Sequence, residues 1–345
     1  MTLTVVVVSW NGRHLLGPCL AGLARQTLDR SAWQVLVVDN GSVDGTAEFL
    51  AEQHPEVGVL RSEVNRGFAG GVHLALQEVT TPYAVLLNND AVPEPGFLAA
   101  LLRAVEAPGA ERVGALTGKV LLQPRFRRLA PEEPADAEDV ATPEGTFRPD
   151  PAGDVDLVNS TGNEVTRTGY GRDRGWLRPD GDHEPAAEVF GFCGAAVLLR
   201  TAAVREAGGM DPDLFLYYED TDLSWRLRAA GWSVRYEPRA VVRHAHAASS
   251  DVTSRLFRFH DDRNRLVVLT KNAPAGLALR AALRQPLTVA SLTVHQGPRR
   301  AMTGTRARAL ASYLRMLPRT LGKRRAVART AVVGRDALAA LFVDD

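Results

Sequence analysis

Leu3-Thr4-Val5-Val6-Val7-Val8-Ser9 is a β-branched and almost wholly apolar run, the pattern of a strand buried on both faces of a sheet. Working outward, Leu15–Gln26 reads as a helix, and Trp33–Val38 as a second strand that ends in Asp39-Asn40-Gly41-Ser42. Asp44–Gln53 reads as helix, Val57–Leu60 as a short strand, Gly70–Val79 as helix, and Tyr83–Leu87 as a fourth strand ending in Asn88-Asn89-Asp90. Strand and helix alternate at α/β spacing, which predicts a parallel sheet with helices on both faces. Ligands of such sheets bind beyond the carboxyl ends of the strands, where Asp39 and Asp90 lie. Val197–Arg200 adds a strand, Asp222–Ala230 a helix, and Ala240–Arg243 a strand-like stretch.

The chain has 345 residues, of which 45% are apolar and 23% charged, the balance of a globular protein with ample core. Two cysteines, Cys19 and Cys193, exclude a disulfide scaffold or a four-cysteine zinc site. The start of the chain lacks the length and basic character of a signal peptide, and no run reaches the roughly 18 apolar residues of a membrane span, so a cytoplasmic protein is expected. Residues 124–154, rich in Pro, Glu, Asp and Ala and without period, read as a long mobile surface insertion. Charge is uneven. Residues 255–345 carry 18 Lys and Arg against 5 Asp and Glu, a net of +13, and the remainder is net −12.

Several clusters can carry chemistry. Asn88-Asn89-Asp90 closes a buried strand, and a carboxylate there can bind a hard divalent cation, although a polar turn alone accounts for the pattern. Tyr217-Tyr218-Glu219-Asp220-Thr221-Asp222 opens a helix. Asp222 is set to pair with Arg226 at i,i+4, and a carboxylate at 219 or 220 behind two aromatics can serve as a general base. His244 and His246 follow a strand-like stretch and can be metal ligands or plain surface residues. The glycine-rich stretches 65–71 and 190–196 match neither a phosphate loop nor a dinucleotide fingerprint, which disfavours P-loop hydrolysis and NAD chemistry.

In order, Val8-Ser9-Trp10-Asn11-Gly12, Val38-Asp39-Asn40-Gly41-Ser42, Asn65-Arg66-Gly67-Phe68, Leu86-Leu87-Asn88-Asn89-Asp90, Gly194-Ala195-Ala196-Val197 and Gly208-Gly209-Met210-Asp211 lead into Phe215-Leu216-Tyr217-Tyr218-Glu219-Asp220, with His244 beyond. This series resembles the family-2 glycosyltransferases of the GT-A fold, most of all the bacterial rhamnosyltransferase-type and galactofuranosyltransferase-type members, over residues 3–270. The resemblance implies an α/β, Rossmann-like nucleotide-diphospho-sugar transferase fold, with a mixed sheet flanked by helices and a basic helical C-terminal extension. It implies a catalytic domain over 1–255, with a nucleotide-sugar half at 1–120, the insertion at 124–154 and an acceptor half at 155–255, followed by the basic helical region 256–345.

Roles carry over by position. Asp39 would accept a hydrogen bond from the pyrimidine of a dTDP or UDP type of donor, with Ser9, Asn11, Asn65, Gly67, Asn88 and Asn89 around the nucleotide sugar. Asp90, last in the Asp-x-Asp motif, and His244 would hold Mg²⁺ or Mn²⁺; asparagines stand at 88 and 89 where many members have acids. Asp220 would be the catalytic base beside Glu219, and Gly194, Tyr217 and Tyr218 would face the acceptor. The implied reaction is an inverting single displacement onto a hydroxyl of a glycan, a lipid-linked glycan or a small molecule, with rhamnose the first candidate sugar. A sugar-nucleotide nucleotidyltransferase would want a glycine-rich Arg/Lys signature after the first strand, where Ser9-Trp10-Asn11-Gly12-Arg13 stands, and a degenerate binding scaffold has only Asn88 and Asn89 in its favour.

The C-terminal region is helical and basic. Ala307, Leu310, Ala311, Leu314 and Leu317 fall at helical spacing among arginines, which fits either a helix laid on an anionic membrane surface or one packed on the acidic catalytic part. A peripheral position on the inner face of the membrane and a homodimer through these helices are both compatible with the pattern. Aromatics are too sparse there for nucleic-acid binding.

Overall fold

The computed structural model describes residues 1–181, 188–245, 254–296 and 301–345. The first half alternates β1 (Leu3–Ser9), α1 (Arg13–Ala24), β2 (Trp33–Asp39), α2 (Thr46–Gln53), β3 (Gly58–Arg61), α3 (Gly67–Glu78) and β4 (Tyr83–Leu87). Next come β5 (Ala91–Pro93), α4 (Phe97–Val105) and β6 (Val113–Leu122), then the short strands β7 (Phe126–Arg128), β8 (Val140–Thr142), β9 (Gly145–Pro149), β10 (Val158–Ser160), β11 (Asn163–Val165) and β12 (Gly171–Asp173). The chain continues through β13 (Ala196–Arg200), α5 (Thr201–Glu206), α6 (Glu219–Ala229) and β14 (Ser233–His244) to α7 (Arg255–Asn272), α8 (Ala275–Gln296), α9 (Ala301–Thr330) and α10 (Arg335–Ala339).

The main sheet runs β3-β2-β1-β4-β13-β6-β14-β5, with β10 paired to β6. β1 to β4 are parallel, as the alternation predicts. β13 enters antiparallel between β4 and β6, and β5 lies antiparallel to β14, so the sheet is mixed as the family resemblance implies, while the parallel pairing read from the alternation holds for β1–β4 and recurs between β6 and β14. Val5 and Val7 pack into one layer and Val6 into the other, all at most 1% exposed, which is why β1 reads as a continuous apolar run. The β1–β2 register places Ser9 beside Asp39, and both strands end on the same edge.

Residues 124–154, expected to be an insertion without regular structure, form instead a three-stranded antiparallel sheet ordered β7-β9-β8 over a small core of Leu122, Phe126, Phe147 and Leu157. With at most one apolar side chain buried per short strand, no period is visible in the sequence.

The C-terminal helices pack against the rest of the chain. α7 buries Leu266, Val267, Val268 and Leu269, and α9 turns Ala309 and Tyr313 inward, with the Tyr313 hydroxyl 2.9 Å from Thr270 Oγ1. Arg324 donates to the carbonyls of Thr270 and Ala273 at 2.8 Å each. Near the end of the chain, Phe342 sits edge-on to Trp225 and Phe190, and the Val343 N–H donates to Val165 O. The stripe expected to be apolar on α9 is split: Ala307 and Leu314 are exposed, and Leu310, Ala311 and Leu317 are half-buried.

A buried charge cluster joins these helices to the turn before α6. Lys271 Nζ lies 2.5 Å from Asp211 and 2.8 Å from Asp222, Lys323 lies 2.5 Å from Asp211 and 2.6 Å from Asp213, and Arg226 pairs with Asp222 at i,i+4. Burial alone would raise the Asp211 carboxyl, but the two lysines outweigh it and hold it below the usual carboxylate range. Removing one member leaves the others buried and uncompensated. Lys271→Ala is therefore expected to cost about 3–5 kcal/mol in urea unfolding. Both aspartates favour their charged form in the fold, so the remaining stability of the wild type should fall as pH drops through the carboxylate range, and less so in Asp211→Asn.

Candidate functional site

A cleft of about 320 Å³ opens where the carboxyl ends of β1, β2 and β4 meet α6 and β14, within the size range of small-ligand sites. Asn40, Asn65, Gly67, Asn88, Asn89, Asp90 and His244 line one side, and Gly194, Tyr217, Glu219 and Asp220 the other. Residues distant in sequence thus converge, because β13 is inserted beside β4 and α6 leads directly into β14.

Ser9, Asn11 and Asp39 stand behind this wall. Asp39 is fully buried; its Oδ1 accepts the Ser42 N–H at 2.9 Å, and its Oδ2 makes no hydrogen bond, with Arg61 Nε 3.6 Å away. A buried carboxylate oxygen left so is costly, which marks it as a place for a donor from a ligand. Asn11, in the left-handed region at φ 49°, accepts the Val43 N–H at 2.9 Å and donates its own N–H to Ser42 Oγ, so it braces the β1 and β2 loops together. Ser9 Oγ accepts from Asn89 Nδ2 at 3.1 Å. Asn65 Oδ1 accepts the Gly67 N–H at 2.8 Å and the Asn40 amide at 3.2 Å. Gly67 has φ +68°, and a Cβ on it would lie 2.2 Å from Phe215 O, so only glycine lets the start of α3 approach the turn before α6.

Asp90 and His244 meet across the β5–β14 pairing, with Asp90 Oδ1 3.0 Å from His244 Nε2. The other ring nitrogen, Nδ1, lies 2.7 Å from the Asn159 side-chain oxygen. That oxygen can only accept, so Nδ1 carries the hydrogen and the ring's orientation is fixed, the usual outer-shell arrangement of a ligating histidine. Asn88 Nδ2 is 3.4 Å from His244 Nε2. Among the described residues no three His, Cys, Asp or Glu side chains gather to hold an ion. One carboxylate and one imidazole fit a divalent cation that keeps most of its coordination for substrate oxygens and water. His246 lies outside the described residues.

The opposite wall is held by an unusual turn. Phe215, Tyr217 and Tyr218 all have positive φ, between 65° and 70°, immediately before α6. The Asn264 amide nitrogen on α7 lies 2.8 Å from each of the carbonyls of Leu214, Leu216 and Tyr217, and Arg263 Nη2 donates to Leu214 O at 2.7 Å. These bonds hold non-glycine residues in a costly conformation. Asp220 then accepts the Gly194 N–H at 3.2 Å on Oδ2 and the Thr221 N–H at 2.6 Å on Oδ1. Burial nevertheless raises its carboxyl above the ordinary value. Glu219 is raised further, by burial first and then by the charge of Asp220, and its Oε2 has no hydrogen-bond partner.

Tyr218 is the one expected acceptor residue that turns away from the cleft. Its hydroxyl accepts the Gly171 N–H at 3.1 Å, and its ring packs against the core. Asp222 and Trp225 behave as the sequence suggests, in the Arg226 pair and in the core. Asp173, on β12, was not expected. It lines the cleft, and burial, with the charge of Asp220 adding to it, pushes its carboxyl up to about 6. Asn159 and the half-exposed Trp10 were likewise not singled out, although Trp10 lies within the first motif.

A family model described as Glycosyl transferase family 2 matches residues 4–167, and one described as Glycosyl transferase family group 2 matches residues 183–286. The chain is a family-2 glycosyltransferase of the GT-A fold. Among curated proteins it is similar to an N-acetylglucosaminyl-diphospho-decaprenol L-rhamnosyltransferase of Mycobacterium tuberculosis, 28% identical over 280 residues that cover 75% of this chain and 81% of the relative. Among solved structures it is similar to a mannosyltransferase from Pyrobaculum calidifontis in complex with GDP-Man and Mn²⁺, with TM-score 0.52, 17% identity, and coverage of 90% of this chain and 86% of that one. It is also similar to GalNAc-T7 with UDP, GalNAc and Mn²⁺, with TM-score 0.59, 13% identity, and coverage of 92% of this chain and 57% of that one. As a family-2 glycosyltransferase the chain is a transferase of the EC 2.4 type that uses nucleotide-sugar donors.

The close approach at Gly67 gives a direct test of how the glycosyltransferase assembles its cleft. Gly67→Ala must push Phe215 and the turn before α6 away from α3. Its melting temperature should fall, and its affinity for nucleoside diphosphates, read by calorimetry, should drop by about tenfold or more for a shift of one ångström or so at the site.

Proposed function

We propose that this glycosyltransferase moves a rhamnose-like sugar, with inversion, from a pyrimidine nucleoside diphosphate of the dTDP or UDP type onto a hydroxyl of a lipid-linked glycan, at the inner face of a membrane. The observation that carries the reading is a single cleft with the Asp90–His244 pair on one wall and Asp220, held by the Gly194 N–H, on the other. Asp39 Oδ2, buried and without a hydrogen bond, offers an acceptor for the N–H of a pyrimidine ring once the Trp10 side of the pocket admits it. The similar mycobacterial protein, whose name specifies a rhamnosyl group and a decaprenol diphosphate acceptor, supports the choice of sugar and of lipid carrier.

Asp90 Oδ1 and His244 Nε2 would hold Mg²⁺ or Mn²⁺, with Asn159 fixing the ring. Bound there, the ion would supply charge stabilisation to the departing diphosphate. Asp220 takes the proton of the acceptor hydroxyl as that oxygen forms its bond to the anomeric carbon and the bond to the diphosphate oxygen breaks. Attack from the face opposite the leaving group inverts the anomeric centre, and no side-chain nucleophile is needed. The raised carboxyl of Asp220 suits it to this task, because a base that holds its proton more firmly draws it better from an alcohol. Glu219, kept neutral by burial and by its neighbour's charge, lets Asp220 stay the charged member of the pair.

Thermal shift with Mn²⁺ and a panel of nucleoside diphosphates should show stabilisation by a pyrimidine diphosphate that depends on metal and is lost in Asp90→Ala. Stabilisation by purine diphosphates alone would overturn the Asp39 reading. In a transfer assay with a polyprenyl-diphosphate glycan, Asp220→Asn should lower kcat by about 10²–10⁴-fold while donor binding persists, which a binding scaffold or a nucleotidyltransferase would not show. Asp220 must be deprotonated to act, so kcat/KM should be lost as pH falls through a value above the ordinary aspartate range.

A further inference from the structure

The face of α8 turned away from α7 exposes Leu279, Leu283, Leu287 and Val294 at 60–81% of their surface. They recur at helical spacing, so they form one stripe along the helix. Arg280 and Arg284 are exposed beside it. Four large apolar side chains left in water on one helix face mark a surface that something covers.

Charge selects the cover. From Arg263 to Arg335 the chain has 16 Lys and Arg and not one Asp or Glu. A second copy meeting this face through its own α8 would bring arginines against arginines with no acid on α8 to pair them. An acidic surface of a second copy would satisfy the arginines and leave the leucines against charged groups. An anionic lipid surface satisfies both, with acyl chains for the stripe and headgroups for the cations.

The position of the helix agrees. α7 begins at the cleft, which Leu256 lines, and ends at Asn272. α8 turns back along it, with Gln285 Oε1 3.4 Å from Arg265 Nη2. The stripe therefore runs from the far end of the helical layer back toward the mouth of the cleft.

We propose that the outer face of α8, centred on Leu283 and Leu287, is a docking surface for anionic phospholipid that lays the mouth of the cleft against the bilayer. It deepens the lipid-linked acceptor reading and rests on that reading only for what the membrane would deliver.

The test is flotation of the full chain, without donor or acceptor, on vesicles of phosphatidylcholine alone or mixed with phosphatidylglycerol at about 3:1. Binding is expected to the mixed vesicles, weak on phosphatidylcholine, and reduced by salt. The double variant Leu283→Glu/Leu287→Glu should bind roughly tenfold less or worse. Both substitutions are on an exposed face, so the variant should keep its melting temperature and its stabilisation by nucleoside diphosphate. Arg280→Glu/Arg284→Glu should lose the preference for phosphatidylglycerol. Wild type that stays with the protein fraction, or a leucine variant that floats unchanged, overturns the proposal. So does a dimer by light scattering that the leucine variant converts to monomer, since a second copy then covers the face. Vesicle binding requires no transfer, so it can succeed where the assignment of donor or acceptor fails, and the reverse also holds.

Discussion

The carboxylate at the start of α6 depends on a backbone that would not adopt its shape unaided. Phe215, Tyr217 and Tyr218 have positive φ without being glycine, and the cost of each is of order 1 kcal/mol or more. One side chain, Asn264, gathers three of the carbonyls that this turn would otherwise leave unsatisfied, and Arg263 takes the Leu214 carbonyl as well. Below it the Asp211–Lys271–Asp222 cluster fixes the two ends of the same segment. The helices after β14 are therefore part of how the cleft is shaped, although they supply little of its lining. A strained turn held by buried polar groups has one well-defined geometry, which proton transfer from a weakly acidic alcohol requires.

Charge is distributed around the cleft with a similar economy. Asp173, Glu219 and Asp220 all approach it, and the charge of Asp220 raises the cost of ionising the other two. Asp220 alone has backbone N–H groups on both carboxylate oxygens, from Gly194 and Thr221. The asymmetry of hydrogen bonding separates the carboxylate able to carry charge, Asp220, from Glu219, which burial and its neighbour's charge hold neutral.

Much of the first half was legible because its chemistry is local. β4 runs over Tyr83–Leu87 as read, and β1 and β2 agree closely, since strands buried on both faces leave an unbroken apolar signature. The Asp90–His244 meeting was carried by family resemblance, as no spacing rule links residues so far apart in the chain; the β5–β14 pairing supplies the reason. Asp173 and Asn159 were invisible. They come from three-residue strands with no period, and their importance arises only when β10 pairs with β6 and β12 with β11. Tyr218 lies off the cleft for a related reason: adjacent tyrosines in a left-handed turn diverge, and a sequence does not say which one lines the cavity. The apolar stripe was expected on α9, whereas α9 turns Ala309 and Tyr313 inward and splits that stripe, and α8 carries a row of exposed leucines.

Asn159 and Asp173 reach the cleft from short strands hung beyond the end of β6, next to the small sheet of residues 126–149. Asp90 follows β4, whose register is set by long runs of paired backbone, and Asp220 opens α6 behind the turn that Asn264 holds. Part of the lining is thus carried by short strands, and the reacting groups by the main sheet and by the braced start of α6. Natural drift, or a laboratory exchange of loops between relatives, can rework residues 124–173 and so the shape offered to an incoming molecule, while the reacting groups keep their places.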